Sequence, residues 1–227
     1  MSSTPAVDTV CFDLDDTLIS YDHDPEEILR TAFHRAGVGP FCTPDELWSV
    51  ASDTPDAEDD HQFLTHLFRE AAERFGGPRE VASTLARTYE AATDHTAVSF
   101  RPGAETALAA ARDLGPVGLI TNGGREVQRT KLRTLGLTDA FATQVYAGAE
   151  TRPKPAREPF DRAVTELNAT PRETLYVGNS LHHDIEGAKG AGLRAAWYPR
   201  ESDRDATPTT HAPDHTLSSL DELASVL

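Results

Sequence analysis

The sequence predicts an α/β protein, a parallel sheet wound on both faces by helices, with an all-helical segment inserted after its first strand. Three observations carry that expectation. From Pro102 to Trp197 short apolar runs alternate with helical patterns, the signature of βαβ units. Near the N-terminus Val10-Cys11-Phe12 is apolar without interruption, as suits a strand covered on both faces. Between about Asp22 and Ala97 helical periodicity recurs with no convincing strand between its segments. Together these place a Rossmann-like, doubly wound core over 1–20 and 98–227 and a helical cap domain over 21–97.

Val10-Cys11-Phe12, preceded by Val7 and Thr9, is the first strand. EEILRTAFHRAG, PDELWSVAS, DHQFLTHLFREAAERFG and PREVASTLARTYEAAT are helical. Thr43-Pro44-Asp45-Glu46 is a helix start and Gly76-Gly77-Pro78 a stop. Beyond them AETALAAARDL, REVQRTKLRTLGL, PFDRAVTELN and DIEGAKGAG read as helices. They alternate with the strands VGLIT, a weaker ATQVYAG, TLYVG and LRAAW. Gly103, Gly136 and Gly192 fall where helices or turns begin or end. Residues Glu201 to Ala212 are polar and aperiodic, a loop before a short final element, LDELASVL.

Composition narrows the function. The 227 residues carry a net charge of -16, from 37 acidic against 21 basic residues, and the only lysines are Lys131, Lys154 and Lys189. With no basic stripe to neutralise phosphates, nucleic acid is not an expected partner. So self-repelling a surface is tolerable where salt screens it, since the Debye length falls to about 3 Å at 1 M, and this predicts a halophile's salt-rich cytosol over an ordinary acidic protein. No run approaches the ~18–20 apolar residues of a membrane span, and MSSTPAVDTV lacks the features of a signal peptide. A cytoplasmic protein without a membrane partner is therefore expected. Cys11 and Cys42 read as packing residues.

The chemistry starts at VCFDLDDTLIS, where Asp13, Asp15 and Asp16 crowd together. Two unit charges 4 Å apart repel by about 4 kcal/mol at an effective dielectric near 20, so solvent, a cation or a proton must relieve them. Open α/β sheets gather ligands at the carboxyl ends of their strands. Asp13 and Asp15 follow the first strand, Thr121 and Asn122 close VGLIT, Lys154 comes shortly after the strand near Val145, and Asn179 and Asp184 follow LYVG. Carboxylates, one ammonium, and hydroxyl and amide groups in that layout suit an oxygen-bound divalent cation beside a phosphate group.

DLDDT at 13–17, TNG at 121–123, KP at 154–155 and GNSLHHD at 178–184 resemble the four ordered motifs of the haloacid dehalogenase superfamily, over nearly the whole chain. The helical insertion resembles that family's C1-type cap. TNGG followed by QRTKLRTLGL is similar to the branch that holds small-molecule phosphatases. The resemblance implies a phosphomonoester hydrolase acting on a small phosphorylated metabolite. Asp13 is then the nucleophile that forms an aspartyl-phosphate, and Asp15 the general acid and later base. Thr121 and Lys154 complete the catalytic set, with Thr17, Thr121, Asn122 and Lys154 binding the phosphate. Mg²⁺ is implied as cofactor, held by Asp13, the Asp15 carbonyl, Asn179 and Asp184. Asp16 is left to cap the turn. Asn179 stands where the family frequently has aspartate, which implies weaker Mg²⁺ affinity.

Other readings stand beside this one. A phosphomutase or phosphotransferase differs only in the acceptor. A 2-haloacid dehalogenase uses the same nucleophile, but such enzymes in the family lack a carboxylate at the position of Asp15. A non-enzymatic regulatory protein would not need Asp13, Asp15, Lys154 and Asp184 together. His182-His183-Asp184 invites a zinc site but has no third nitrogen or sulfur ligand nearby. Gly187, Gly190 and Gly192 do not form a dinucleotide fingerprint. Arg152 is either solvated or in contact with substrate, and the oligomeric state is open.

Overall fold

Apolar runs without alternation become strands buried on both faces. In the computed structural model, which describes residues 6–55, 57, 59–208 and 210–227, β1 (Thr9–Phe12) is buried at every position. The other strands are β2 (Ile19–Tyr21), β3 (Val98–Phe100), β4 (Val117–Asn122), β5 (Thr143–Ala147), β6 (Thr174–Gly178), β7 (Arg194–Trp197) and β8 (His215–Thr216). Six of them form a parallel sheet in the order β5-β4-β1-β6-β7-β8. The chain thus leaves β1, winds outward through β4 and β5, then returns to the other side of β1 for β6 and β7. That reversal beside β1 is the switch point at which open α/β sheets make their crevice. In register, Cys11 faces Gly118 on one side and Tyr176 on the other.

The helices are α1 (Pro25–Ala36), α2 (Pro44–Ser49), α3 (Asp60–Phe75), α4 (Ala82–Glu90), α5 (Ala104–Leu114), α6 (Arg125–Thr134), α7 (Glu158–Glu166) and α8 (Gly187–Gly190). The chain divides into two compact units, Met1–Ser20 with Val98–Leu227, and Tyr21–Ala97. In the first, Cys11, Ile120, Val145 and Tyr176 of the sheet pack with Phe160, Ala163 and Val164 of α7 and with Ala188 of α8. The second buries Leu29, Phe33, Leu47, Leu67, Phe68 and Leu85 among its four helices. Its start and stop signals work as their chemistry dictates. The Thr43 hydroxyl accepts from the Glu46 N–H and the Glu46 carboxylate accepts from the Thr43 N–H, a complete capping box. Gly76 closes α3 with φ of 81°, a conformation that favours glycine.

Some elements differ from expectation. β2 and β3 pair as a separate two-stranded sheet, and β8 adds two residues to the main one; at two or three residues each they are too short to show a period. The expected helix DIEGAKGAG begins as a π-helical turn, Leu181–Glu186, before α8. A Cβ at Gly187 would lie 2.6 Å from the Phe160 ring, so glycine there allows the close packing. Residues 201–212 open with a single 3-10 turn, Glu201–Asp203, and position 209 lies outside the described residues. So do the first five residues, part of the segment read for a leader. Among the described residues no helix is long and apolar enough to cross a membrane.

Candidate active site

β1 aims the first carboxylate. The Asp13 N–H still donates to the Val177 carbonyl at 2.9 Å, carrying strand pairing one residue beyond β1. The chain then turns sharply, with the Leu14 carbonyl accepting from the N–H groups of Thr17, Leu18 and Ile19. Asp16 takes φ of 56° in that turn, a left-handed conformation that Asp tolerates better than most residues. Its carbonyl accepts from Arg101 and its carboxylate lies 3.7 Å from Arg200, so Asp16 shapes the turn, as expected. Thr17 comes back beneath Asp13 and donates to its Oδ2 at 3.0 Å.

Lys154 sits at the centre, 2% exposed. Its Nζ lies 2.7 Å from Asp13 Oδ1, 2.7 Å from Asp184 Oδ1, 2.9 Å from the Tyr176 hydroxyl and 3.1 Å from the Ile120 carbonyl. Burial alone would lower its pKa, but Asp13 and Asp184 together outweigh burial and hold the ammonium above the usual lysine range. Burial is also the chief reason that the Asp13 carboxyl rises to about 7, against the attraction of Lys154 and with repulsion from Asp184 and Asp15. Tyr176, which in sequence is one apolar-looking member of TLYVG, is buried against both carboxylates and its hydroxyl is pushed well above its ordinary range. The sequence reading missed it because its ring packs like any core aromatic, edge-on to Phe160.

The loop bearing Lys154 is clamped from β4. Asn122 Oδ1 accepts from the Lys154 N–H at 2.8 Å, and Asn122 Nδ2 donates to the Lys154 carbonyl at 3.2 Å. Both ends of the Asn122 amide, expected at the phosphate, thus engage the backbone of the Lys154 loop. Asp184 enters because β6 ends in glycine: a Cβ at Gly178 would lie 2.5 Å from the Asp184 carboxylate.

On the other side Asp15 meets α6. Lys131 Nζ lies 2.8 Å from both Asp15 oxygens, and Gln128 Nε2 lies 2.8 Å from Oδ2. The same Gln128 nitrogen is 2.7 Å from the Thr121 hydroxyl and 3.0 Å from the Asn122 carbonyl. Thr121 itself is 1% exposed. The expected single ammonium is therefore two, from a chain with three lysines. One signal pointed there: Gln128 and Lys131 are three apart, on one face of a helix.

The donor set fits a hard divalent cation, which takes oxygen ligands and keeps several waters. Asp13 Oδ2 and Asn179 Oδ1 approach the same Thr17 hydroxyl, at 3.0 and 3.4 Å, so a carboxylate and an amide oxygen converge. Asp184, expected among the metal ligands, accepts through Oδ1 from Lys154 and Tyr176, and through Oδ2 from the Ser180 N–H at 2.9 Å. It faces the lysine. No group of three or more His, Cys, Asp or Glu among the described residues is arranged to hold a metal. His182 pairs with Glu186, and the His183 ring lies 3.0 Å from the Lys154 carbonyl. Arg152 is exposed beside Glu158.

Residues 7–192 match the family model of the haloacid dehalogenase-like hydrolases. A phosphoserine phosphatase of Thermus thermophilus is 34% identical over 156 residues, 67% of this chain and 62% of that protein. The chain thus spans less than two thirds of that relative. The ribulose-1,5-bisphosphate 5-phosphatase of Halopiger xanaduensis is 28% identical over 96% of this chain and 98% of its own length. Among solved structures, the magnesium-bound HAD-hydrolase YfnB of Bacillus subtilis shares the fold with a TM-score of 0.74 at 22% identity, over 98% of this chain and 99% of that one.

Proposed function

Since the chain belongs to the haloacid dehalogenase-like hydrolase family, we propose that it hydrolyses the phosphate monoester of a small metabolite through an aspartyl-phosphate. The observation that carries this reading is the buried Lys154 ammonium set between Asp13 and Asp184, with Asp15 two residues beyond Asp13. Similarity to a phosphoserine phosphatase and to a ribulose-1,5-bisphosphate 5-phosphatase supports it.

Asp13 supplies an electron pair to phosphorus, and the bond from phosphorus to the ester oxygen breaks. Asp15 gives its proton to the departing alcohol and then takes one from the water that cleaves the aspartyl-phosphate. Lys154 and Thr121 hold phosphoryl oxygens, while Thr17 fixes the Asp13 carboxylate. Asp13, the Asp15 carbonyl, Asn179 and Asp184 would hold Mg²⁺, whose chemistry when bound is neutralisation of phosphoryl charge. The need is plain: with Asp15 protonated, Asp13, Asp184 and a phosphate dianion total roughly -4, against which Lys154 and Mg²⁺ return roughly +3. Asp15 favours phosphate esters over carbon–halogen bonds, because a halide departs without a proton. The acidic surface fits a salt-rich cytoplasm.

Purified protein is expected to release p-nitrophenol from p-nitrophenyl phosphate in high salt with magnesium, and to stop when EDTA is added. Absence of magnesium-dependent release would remove the reading.

A further inference from the structure

α6 carries two polar side chains that the reaction scheme leaves unused. Gln128 is 1% exposed and Lys131 4%, and both face Asp15, on a helix whose remaining residues supply little else to the site. Together they hold both oxygens of that carboxylate, and Gln128 ties it to Thr121 at the end of β4. The arrangement has a cost. Gln128 Oε1 is buried without a hydrogen-bond partner among the described residues, a loss of about 1–3 kcal/mol that a side chain retained for stability alone would avoid. Asp15 needs such support, because it lies on a turn, its side chain is 34% exposed, and unheld it would sample several staggered rotamers.

We propose that Lys131 and Gln128 are positioning residues for Asp15, holding its carboxylate toward the ester oxygen so that proton delivery to the leaving group depends on α6. The proposal rests on the phosphatase reading. It assigns Lys131 a role in one step only, protonation of the alcohol as the phosphorus–oxygen bond breaks. Nitrophenolate leaves without that proton, whereas a benzyl alkoxide does not.

The test compares kcat/KM, which reports steps up to alcohol release, for p-nitrophenyl phosphate and benzyl phosphate in wild type and Lys131→Met. The expected loss is roughly 10- to 100-fold on benzyl phosphate and no more than about threefold on p-nitrophenyl phosphate. Should Lys131→Met fail to fold, Lys131→Gln, polar and of similar length, carries the same comparison. Equal losses on both esters, or none, overturn the assignment while leaving the phosphatase reading in place. Wild type that cleaves only the nitrophenyl ester also overturns it, since Asp15 then gives no assistance to position. Wild type that cleaves neither removes the phosphatase reading and this inference with it.

Discussion

Asp13 and Asp15 lie two positions apart and live in different media. The Asp13 side chain is 8% exposed, against an ammonium that is itself 2% exposed and shared with Asp184. The Asp15 side chain is 34% exposed and pairs with Lys131. A nucleophile gains from a dry, fixed setting, because charges there act through a low dielectric and need no reorganisation. A group that must exchange protons with alcohol and then water belongs at the wet edge. One turn of chain separates these settings because β1 carries Asp13 one residue into the sheet and then leaves it.

The sharpest way to break this contrast is to remove each lysine and measure unfolding in denaturant with EDTA present. Lys154→Met leaves Asp13 and Asp184 buried without a cation and is expected to cost about 3–5 kcal/mol. Lys131→Met leaves a carboxylate that water reaches, and is expected to cost about 1 kcal/mol or less. Equal costs would show that the two pockets are equally dry.

A second test uses pH. In the metal-free protein burial raises Asp13 to about 7, whereas the unfolded chain titrates near 3.9. The folded state thus binds this proton more tightly. Stability from this group is full below about pH 4 and is lost as pH rises through about 7. The difference in unfolding midpoint between wild type and Asp13→Asn should therefore change across that window and level off above it. A constant difference would mean that Asp13 is not desolvated.

The smallest expected effect adds charge to the Asp13 side. Asn179→Asp places a carboxylate where the amide oxygen lies 3.4 Å from Thr17. The magnesium concentration giving half-maximal turnover is expected to fall by roughly 3- to 10-fold, the order of one added charge at screened contact distance. An unchanged value would place Asn179 outside the ligand set.

Much of this was legible in the residues. Apolar runs predicted β1, β4 and β6, and a parallel sheet brings the residues just past its strands to one edge, so Asp13, Thr121, Lys154 and Asn179 were legible as neighbours. The Thr43 box was legible because a cap is a contact between residues three apart. Asn122 was legible as a site residue but not as a clamp, because its partner is 32 positions away. Tyr176 and Lys131 were hidden for the same kind of reason. A strand tyrosine looks like core until the lysine beneath its hydroxyl is known, and a lysine in the last turn of a helix is already explained by the helix dipole.

By itself, then, the sequence determined the five longer strands, the helices of residues 22–97 and the row of groups at the strand ends, since each of these follows from periodicity and local hydrogen bonding. Only the tertiary structure decided which lysine serves which aspartate, that Asp184 faces Lys154, and that α6 belongs to the site. Those choices depend on burial, and a charge is committed to one partner only when packing has removed the water that would otherwise satisfy it.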